Sequence, residues 1–369
     1  MSCTGDEAPT LSIEELGEKL FFDKNLSKMR TQACASCHDP DHGFIDFRDS
    51  TVGKSVSLGD DGVSLGDRNT PTITYAQFSP EFRLHRGEYV GGQFWDGRES
   101  DLQGQAKGPF LNPVEMNMAD MASVIERVTE EDEYVRAFIK HYGNDIFDDA
   151  ELAYAKLAES IASFERTSVF SPFDSKYDLS LRGEYILTDQ EELGQTLFFS
   201  QQFTNCNGCH QLKAIGGSAE ETFSDYKYYN LGVPIHSSVR IANDNNGHGD
   251  NEYTDHGLLG NPAVDDEMED GKFRVSTLRN VAITGPYMHN GVFQKLRTVL
   301  LFYDKFNNPE RLLNPETGLP WRDPEVPVNL ALDTEDFKSV SLDDDEIDAL
   351  LAFLLILTDQ RYEALIPEP

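Results

Sequence analysis

A five-residue array, C-x-x-C-H, occurs twice in this chain of 369 residues. The first copy spans residues 34–38, and the second spans residues 206–210, 172 positions later. Together the copies use four of the five cysteines. The residues of the two copies that can bind a metal or react as thiols are Cys34, Cys37, His38, Cys206, Cys209 and His210.

The histidine that follows each C-x-x-C pair decides between three kinds of site. C-x-x-C alone is compatible with a zinc site, a dithiol redox centre or haem attachment. A dithiol centre does not need the histidine, and a structural zinc site needs a second pair of ligands nearby, which neither half of the chain offers. In a c-type haem site both thiols bind the haem covalently and the histidine binds the iron. The array therefore predicts two covalently attached c-type haems.

The sequence around the arrays is also duplicated. Residues 14–22 read EELGEKLFF and residues 191–199 read EELGQTLFF. Helical patterns with acidic first turns close the two halves, at 149–167 and 342–359. Each unit is thus a helix, a haem motif, loops and a closing helix. This order predicts a mainly α fold with two tandem cytochrome c-type domains.

The predicted domains are residues 13–175 and residues 180–369, each with one haem, joined by a linker around 170–188. Residues 1–12 form a flexible lead in which Cys3 follows a small residue, as at the end of a lipoprotein signal. An acylated anchor and an incidental thiol both remain open. Residues 242–272, rich in Asn, Asp and Gly, are predicted to form a long loop.

Charge and hydropathy exclude several functions. The chain has 31 basic and 65 acidic residues, a formal charge of −34, which repels nucleic acids and anionic lipid. Its longest apolar run, 350–357, is far shorter than the roughly 20 residues that cross a bilayer. We therefore expect no nucleic-acid partner and no transmembrane span. Loading of two haems on thiols agrees with an oxidising compartment, the periplasm.

Three further segments carry a family resemblance. They are DRNTPTITYA (67–76), QFWDGRESDLQGQAKGPFLNPVEM (93–116) and FRVSTLRNVAITGPYMHNGVFQKL (273–296). With both haem motifs they resemble the bacterial dihaem cytochrome c peroxidase and MauG superfamily over nearly the whole chain. The resemblance implies that Trp95 carries electrons between the haems and that Glu115 is the distal acid–base residue. Gln105 and Pro109 would line the same pocket.

The resemblance also bears on the axial ligands. Ordinary peroxidases of the superfamily carry a distal His in the loop that corresponds to residues 49–69, which contain none here. The first haem is therefore expected to be five-coordinate and open to peroxide, with His42 and His85 as alternative ligands. On the second haem, those peroxidases use a Met fourteen residues after the position of His289. That position is Tyr303, as in MauG and its relatives, including the MbnH branch.

These features imply an enzyme that uses H₂O₂ to reach a bis-Fe(IV)-like state, shared through Trp95. The enzyme would then oxidise residues of a partner protein, above all Trp, by long-range electron transfer. One alternative is a peroxidase with a small cytochrome or copper protein as donor, and another is a non-enzymatic dihaem electron carrier. Trp321 is either an exit for oxidising equivalents or an ordinary packed side chain. The resemblance further implies a calcium ion held by Asn69, Thr284 and Pro286, which are oxygen donors of the kind Ca²⁺ prefers.

Overall fold

The computed structural model describes residues 10–212, 221–245, 253–334 and 338–367. Cys3 lies outside these residues, so its lipidation stays a prediction. Most regular structure in the described part is helical, which confirms the predicted fold class. The α-helices are α1 (Ile13–Phe22), α2 (Cys34–Cys37), α3 (Leu102–Leu111), α4 (Met121–Val128), α5 (Asp132–Tyr142), α6 (Ala150–Glu165), α7 (Lys176–Leu181), α8 (Asp189–Phe199), α9 (Ser237–Asn245), α10 (Leu296–Asp304) and α11 (Asp344–Leu355).

The strands are few and short. Two antiparallel pairs form, β2 with β3 and β4 with β5. The strands of the described residues are β1 (Thr51–Lys54), β2 (Arg83–His85), β3 (Glu88–Val90), β4 (Tyr228–Tyr229) and β5 (Phe273–Arg274). Long loops between the helices therefore form most of the walls of the site.

The duplicated segments form the same helix pair twice. Helix α1 packs on α6, and α8 packs on α11. At each crossing a glycine meets the partner backbone, so a Cβ on Gly17 would overlap the carbonyl oxygen of Ser160, and a Cβ on Gly194 that of Ala349. Only glycine allows such an approach. The repeat in sequence is thus a repeat in packing.

Each helix pair anchors its own hydrophobic core. One core draws its buried residues from positions 16–170, and the other from positions 177–357. Equivalent phenylalanines meet across the two crossings, Phe21 edge-on to Phe164 at 5.5 Å and Phe198 tilted against Phe353 at 5.1 Å between ring centroids. Burial of these aromatic faces holds each haem motif against its helix pair.

Two segments predicted to lack regular structure contain helices. Helix α7 lies within the predicted linker, where the carboxylate of Asp178 is fully buried against Arg279, with Nη1 and Oδ2 2.6 Å apart. Helix α9 extends to Asn245, so the first residues of the predicted loop at 242–272 are helical. Residues 246–252 of that loop lie outside the described residues.

Candidate active site

Both C-x-x-C-H arrays form a tight helical turn. The backbone N–H of His38 donates to the carbonyl of Cys34 at 2.8 Å, and that of His210 donates to the carbonyl of Cys206 at 3.1 Å. All four thiols are free of disulfide bonds. The two cysteines and the histidine of each array line a common cavity. This is the arrangement that covalent haem attachment requires.

The two histidines are oriented by the same device. Nδ1 of His38 lies 3.1 Å from the carbonyl oxygen of Phe44, and Nδ1 of His210 lies 2.9 Å from that of Phe223. Both phenylalanines have left-handed backbones, with φ of 56° and 54°. A donor bond from Nδ1 leaves Nε2 as the metal-binding atom. Burial lowers the pKa of both imidazoles, that of His210 to about 4, which keeps them neutral and able to bind iron.

Two cavities adjoin the arrays. The N-terminal cavity measures about 530 Å³ and the C-terminal cavity about 350 Å³, within the general range of cofactor pockets. The predicted residues around the N-terminal cavity are Cys34, Cys37, His38, Asn69, Trp95, Gln105, Pro109 and Glu115. Those around the C-terminal cavity are His38, Asn69, Trp95, Gln105, Cys206, Cys209, His210, Thr284, Pro286 and Tyr303.

Arg274 supplies an independent sign that the C-terminal cavity suits a haem. Its side chain lines this cavity, where burial lowers the pKa of the guanidinium. Nε donates to the Phe94 carbonyl at 3.1 Å and Nη1 to the Ser79 hydroxyl at 3.3 Å. Among the described residues no carboxylate forms an ion pair with it. A half-buried cation that faces a cavity is stabilised when it meets an anion, and a haem propionate is one. The residues that line the C-terminal cavity therefore fit a haem.

Glu115 lies in the N-terminal cavity, as the resemblance implies. Gln105 and Pro109 stand one helical turn apart on α3, and Glu115 follows in the next loop. Nδ2 of Asn112 donates to Oε1 of Glu115 at 2.9 Å. Burial raises the pKa of the Glu115 carboxyl, although nearby Arg98 and this hydrogen bond oppose the shift. The site can thus hold and return a proton.

Trp95 lines both cavities. It lies in a turn closed by a bridge between Gln93 and Glu99, and its indole N–H donates to the carbonyl of Asn69 at 2.8 Å. Its own carbonyl accepts a hydrogen bond from the backbone N–H of Arg274 at 2.9 Å. The indole therefore has a fixed position between the two haem motifs.

Tyr303 lies near the end of α10 and lines the C-terminal cavity together with His210. Burial is the main cause that raises the pKa of its phenol, and the nearby thiols of Cys209 and Cys206 add to the shift. A phenol held in this environment is neutral unless a metal binds it. His210 and Tyr303 would hold the haem iron, which would supply that stabilisation.

Comparison with known proteins agrees with this geometry. A family model described as di-haem cytochrome c peroxidase matches residues 12–185. The methylamine utilization protein MauG of Paracoccus denitrificans is 48% identical over 360 residues, which cover 97% of this chain and 91% of MauG. This chain belongs to the di-haem cytochrome c peroxidase and MauG family. The cytochrome c551 peroxidase of Pseudomonas aeruginosa is 33% identical over 285 residues, 77% of this chain and 69% of the peroxidase.

A solved structure of this family shares the fold. The diheme peroxidase BthA from Burkholderia thailandensis is 30% identical, with a TM-score of 0.85, over 98% of this chain and 89% of BthA. Membership of the di-haem family confirms the predictions of an H₂O₂-dependent haem oxidoreductase and of two haems. None of the helices in the described ranges is long and apolar enough to cross a membrane.

The alternative distal histidines lie elsewhere. Nδ1 of His42 is 2.8 Å from the Asp39 carboxylate and its ring stacks on Phe47. His85 is exposed in the hairpin of β2 and β3. Neither lines the N-terminal cavity. His256 does line it, but this imidazole is 52% exposed and bonded to Asp270 at 2.7 Å.

The residues predicted to bind calcium lie together on the wall of the C-terminal cavity. Nδ2 of Asn69 donates to the Ser55 carbonyl at 3.1 Å, and among the described residues no donor to its Oδ1 is found. That oxygen therefore suits a hard cation. Thr284 and Pro286 offer only backbone carbonyls to such an ion, so the calcium site stays a prediction.

Trp321 packs on the second core rather than on either cavity. Its ring meets Phe293 and Phe302 edge-on at 5.9 and 5.7 Å, and its N–H donates to the Arg311 carbonyl at 2.8 Å. Phe302 precedes Tyr303 on α10. The packing gives Trp321 a structural role, and its part in electron transfer stays a prediction.

Glu165 was not anticipated from the sequence. The carboxyl lies at the end of α6 on the wall of the N-terminal cavity, and its Oε2 has no hydrogen-bond partner among the described residues. Burial raises its pKa to about 8, so it is largely neutral at pH 7. Neither Glu165 nor Arg274 carries a spacing signal, because each reaches its cavity from a distant part of the chain.

Proposed function

We propose that this enzyme uses H₂O₂ to oxidise aromatic residues, above all Trp, of a partner protein by long-range electron transfer. The observation that supports the proposal is that Tyr303 and His210 line one cavity, while Trp95 lines both cavities. The 48% identity to MauG supports it.

Glu115 manages protons in the N-terminal cavity. Haem iron, when bound, supplies the peroxide chemistry at His38 and stores oxidising equivalents at both sites. The Glu115 carboxylate takes the proton from the near oxygen of H₂O₂ and returns it to the far oxygen, so that water leaves. Asn112 fixes the carboxylate for this transfer through its 2.9 Å hydrogen bond. Gln105 and Pro109 line the same cavity.

Trp95 joins the two sites electronically. Its ring lines both cavities, and hydrogen bonds from its indole and to its carbonyl hold it in place. An aromatic side chain fixed between two redox centres shortens each electron-transfer step. Oxidising equivalents that are generated at the haem site of His38 can thus be shared with the haem site of His210 and Tyr303.

Tyr303 favours storage of oxidising equivalents over entry of electrons. A phenolate oxygen is a harder and more electron-donating ligand than a thioether, so it stabilises iron in high oxidation states and lowers the potential. A site with these properties is poorly suited to accept electrons from a high-potential donor. It is suited to withdraw them from a side chain of a docked protein.

A peroxidase with a small cytochrome or copper protein as donor is the second candidate. The 33% identity to a cytochrome c551 peroxidase favours it. Tyr303 argues against it, since the ligand of that position in ordinary peroxidases is Met. We further propose that the enzyme has an MbnH-type role and that it binds a calcium ion at Asn69. We also propose a periplasmic location, with or without a lipid anchor at Cys3.

One experiment separates the two candidates. The ferric holoenzyme is given H₂O₂ with either reduced small cytochrome c or a periplasmic extract of the source organism, and oxidised tryptophans are mapped by mass spectrometry. The proposal expects new oxidised tryptophans in few proteins, absent with the Trp95→Phe variant, and slow oxidation of cytochrome c. Fast cytochrome oxidation without modified protein would overturn it in favour of the peroxidase.

A further inference from the structure

A tyrosine and a carboxylate form a pair beside the C-terminal cavity. Tyr229, on β4, lines the cavity, and its hydroxyl donates to Oδ2 of Asp225 at 2.8 Å. The same hydroxyl lies within hydrogen-bonding reach of the Cys209 sulfur, which attaches the second haem. The backbone N–H of Asp225 donates to the carbonyl of Cys209 at 2.9 Å. The pair is therefore fixed to the haem motif itself.

This arrangement suits reversible oxidation of the tyrosine. A tyrosine that loses an electron becomes a strong acid, so oxidation is easy only where a base already holds the phenolic hydrogen. Asp225 is such a base at hydrogen-bond distance. Burial raises the pKa of the Asp225 carboxyl, which makes its carboxylate a better proton acceptor than an exposed one.

The pair lies between the cavity and the protein surface. Lys227 forms an ion pair with Glu88 at 2.6 Å, and the Glu88 side chain is 55% exposed. Glu88 is near enough to act electrostatically on both Tyr229 and Asp225. The route from the Cys209 sulfur through Tyr229 thus leads toward solvent, where a partner can dock.

Other aromatic side chains of the region fit this role less well. Tyr75 also donates to a carboxylate, that of Asp359, but it is 1% exposed in the interior. The hydroxyl of Tyr287 and the indole of Trp321 donate to backbone carbonyls, which are poor proton acceptors. Tyr303 is assigned to the iron.

We propose that Tyr229 is a redox relay that passes oxidising equivalents from the second haem site to the partner protein. This inference rests on the proposed function and names its exit route. Reduction of H₂O₂ to two molecules of water consumes two electrons and two protons. Tyr229 passes these two electrons one at a time, and in each passage its phenolic proton moves to Asp225, while the two protons that complete the water molecules come from solvent. The tyrosyl radical then takes an electron from an aromatic side chain of the partner, and the proton returns from Asp225.

The test is freeze-quench EPR of the holoenzyme after one equivalent of H₂O₂, without any protein substrate. Wild-type protein should give a tyrosyl radical that narrows when the tyrosines are ring-deuterated. In the Tyr229→Phe variant the intensity of this signal should be at least tenfold lower, while the change of the Soret band on addition of peroxide should remain. Tyr228→Phe is the matched control, because that hydroxyl faces the Gly91 carbonyl, and it should keep the radical.

A second variant tests the proton transfer. Asp225→Asn keeps a hydrogen-bond acceptor but removes the base, so the radical should form at least tenfold more slowly, with both haems still attached. An unchanged radical in Tyr229→Phe, or a wild-type Soret response without a tyrosyl signal, would overturn the relay and leave the proposed function standing. A wild-type protein without any peroxide response would overturn both.

Discussion

The indole N–H of Trp95 donates a 2.8 Å hydrogen bond to the backbone carbonyl of Asn69. The N–H of Asn69 in turn donates to the carbonyl of His289 at 2.7 Å. The first two residues precede α3 and the third precedes α10, so this chain of bonds ties the two halves of the molecule together at the point where the cavities meet.

Replacement of Trp95 should uncouple the two sites. In Trp95→Phe we expect the reaction with H₂O₂ at the first haem to persist, but the spectral response of the second haem to slow by at least tenfold, because the fixed indole is lost. Stopped-flow absorbance at the two Soret bands measures both. Trp321→Phe removes the other tryptophan and should leave both responses unchanged, and equal slowing in the two variants would contradict the role of Trp95.

Replacement of Glu115 should impair the reaction with peroxide itself. Loss of a positioned acid–base group costs roughly 100-fold to 10,000-fold in rate, and we expect Glu115→Gln to lower the second-order rate constant for H₂O₂ by this amount. Glu126→Gln, an exposed carboxyl on α4, is the control and should react like wild type. A wild-type rate in Glu115→Gln would refute the assignment.

The pH dependence of that rate constant follows from burial. Burial raises the folded-state pKa of Glu115 above its ordinary 4.5, and the carboxylate is the form that accepts a proton. The rate constant should therefore be at its maximum above the folded-state pKa of Glu115 and should fall as the pH decreases through that pKa. The midpoint of this fall should lie above pH 4.5. Measurement of the rate constant for H₂O₂ between pH 4 and 9 tests this decrease at low pH, which the Glu115→Gln variant should not show.

The glycines at the two helix crossings should be equally sensitive. A Cβ on Gly17 or Gly194 would overlap a carbonyl oxygen of the facing helix. Overpacking of this kind costs about 1–3 kcal/mol, so Gly17→Ala and Gly194→Ala should each lower the free energy of unfolding by that amount. Denaturant titration of the holoenzyme measures it. Gly260→Ala, where a Cβ meets open space, should change stability little, and equal loss there would contradict the packing argument.

The sequence predicted the helices and the haem motifs well because a repeat constrains them twice. The duplicated LGxxLFF segments contain the crossing glycines Gly17 and Gly194, and the two arrays contain the thiols and imidazoles that are predicted to bind the haems. The resemblance to the di-haem family then located Glu115, Trp95 and Tyr303, whose side chains do line the cavities. Their chemical roles remain predictions.

The remaining features depend on tertiary contacts. Arg274 reaches the cavity because its backbone bonds to Trp95, 179 positions earlier. Helix α7 contains a buried Asp178 whose charge is paired by Arg279, 101 positions later in the chain, so the local sequence pattern alone indicated a linker. The Tyr229–Asp225 pair is local in sequence, but nothing in its spacing shows that it would meet Cys209.

Low-temperature EPR of the ferric holoenzyme, before and after one equivalent of H₂O₂, tests the central claim most directly. We expect one high-spin and one low-spin signal, both lost on peroxide addition without prior reduction, and a low-spin signal that changes in Tyr303→Phe. Two low-spin signals that respond to peroxide only after half reduction would contradict the account and favour an ordinary peroxidase or an electron carrier.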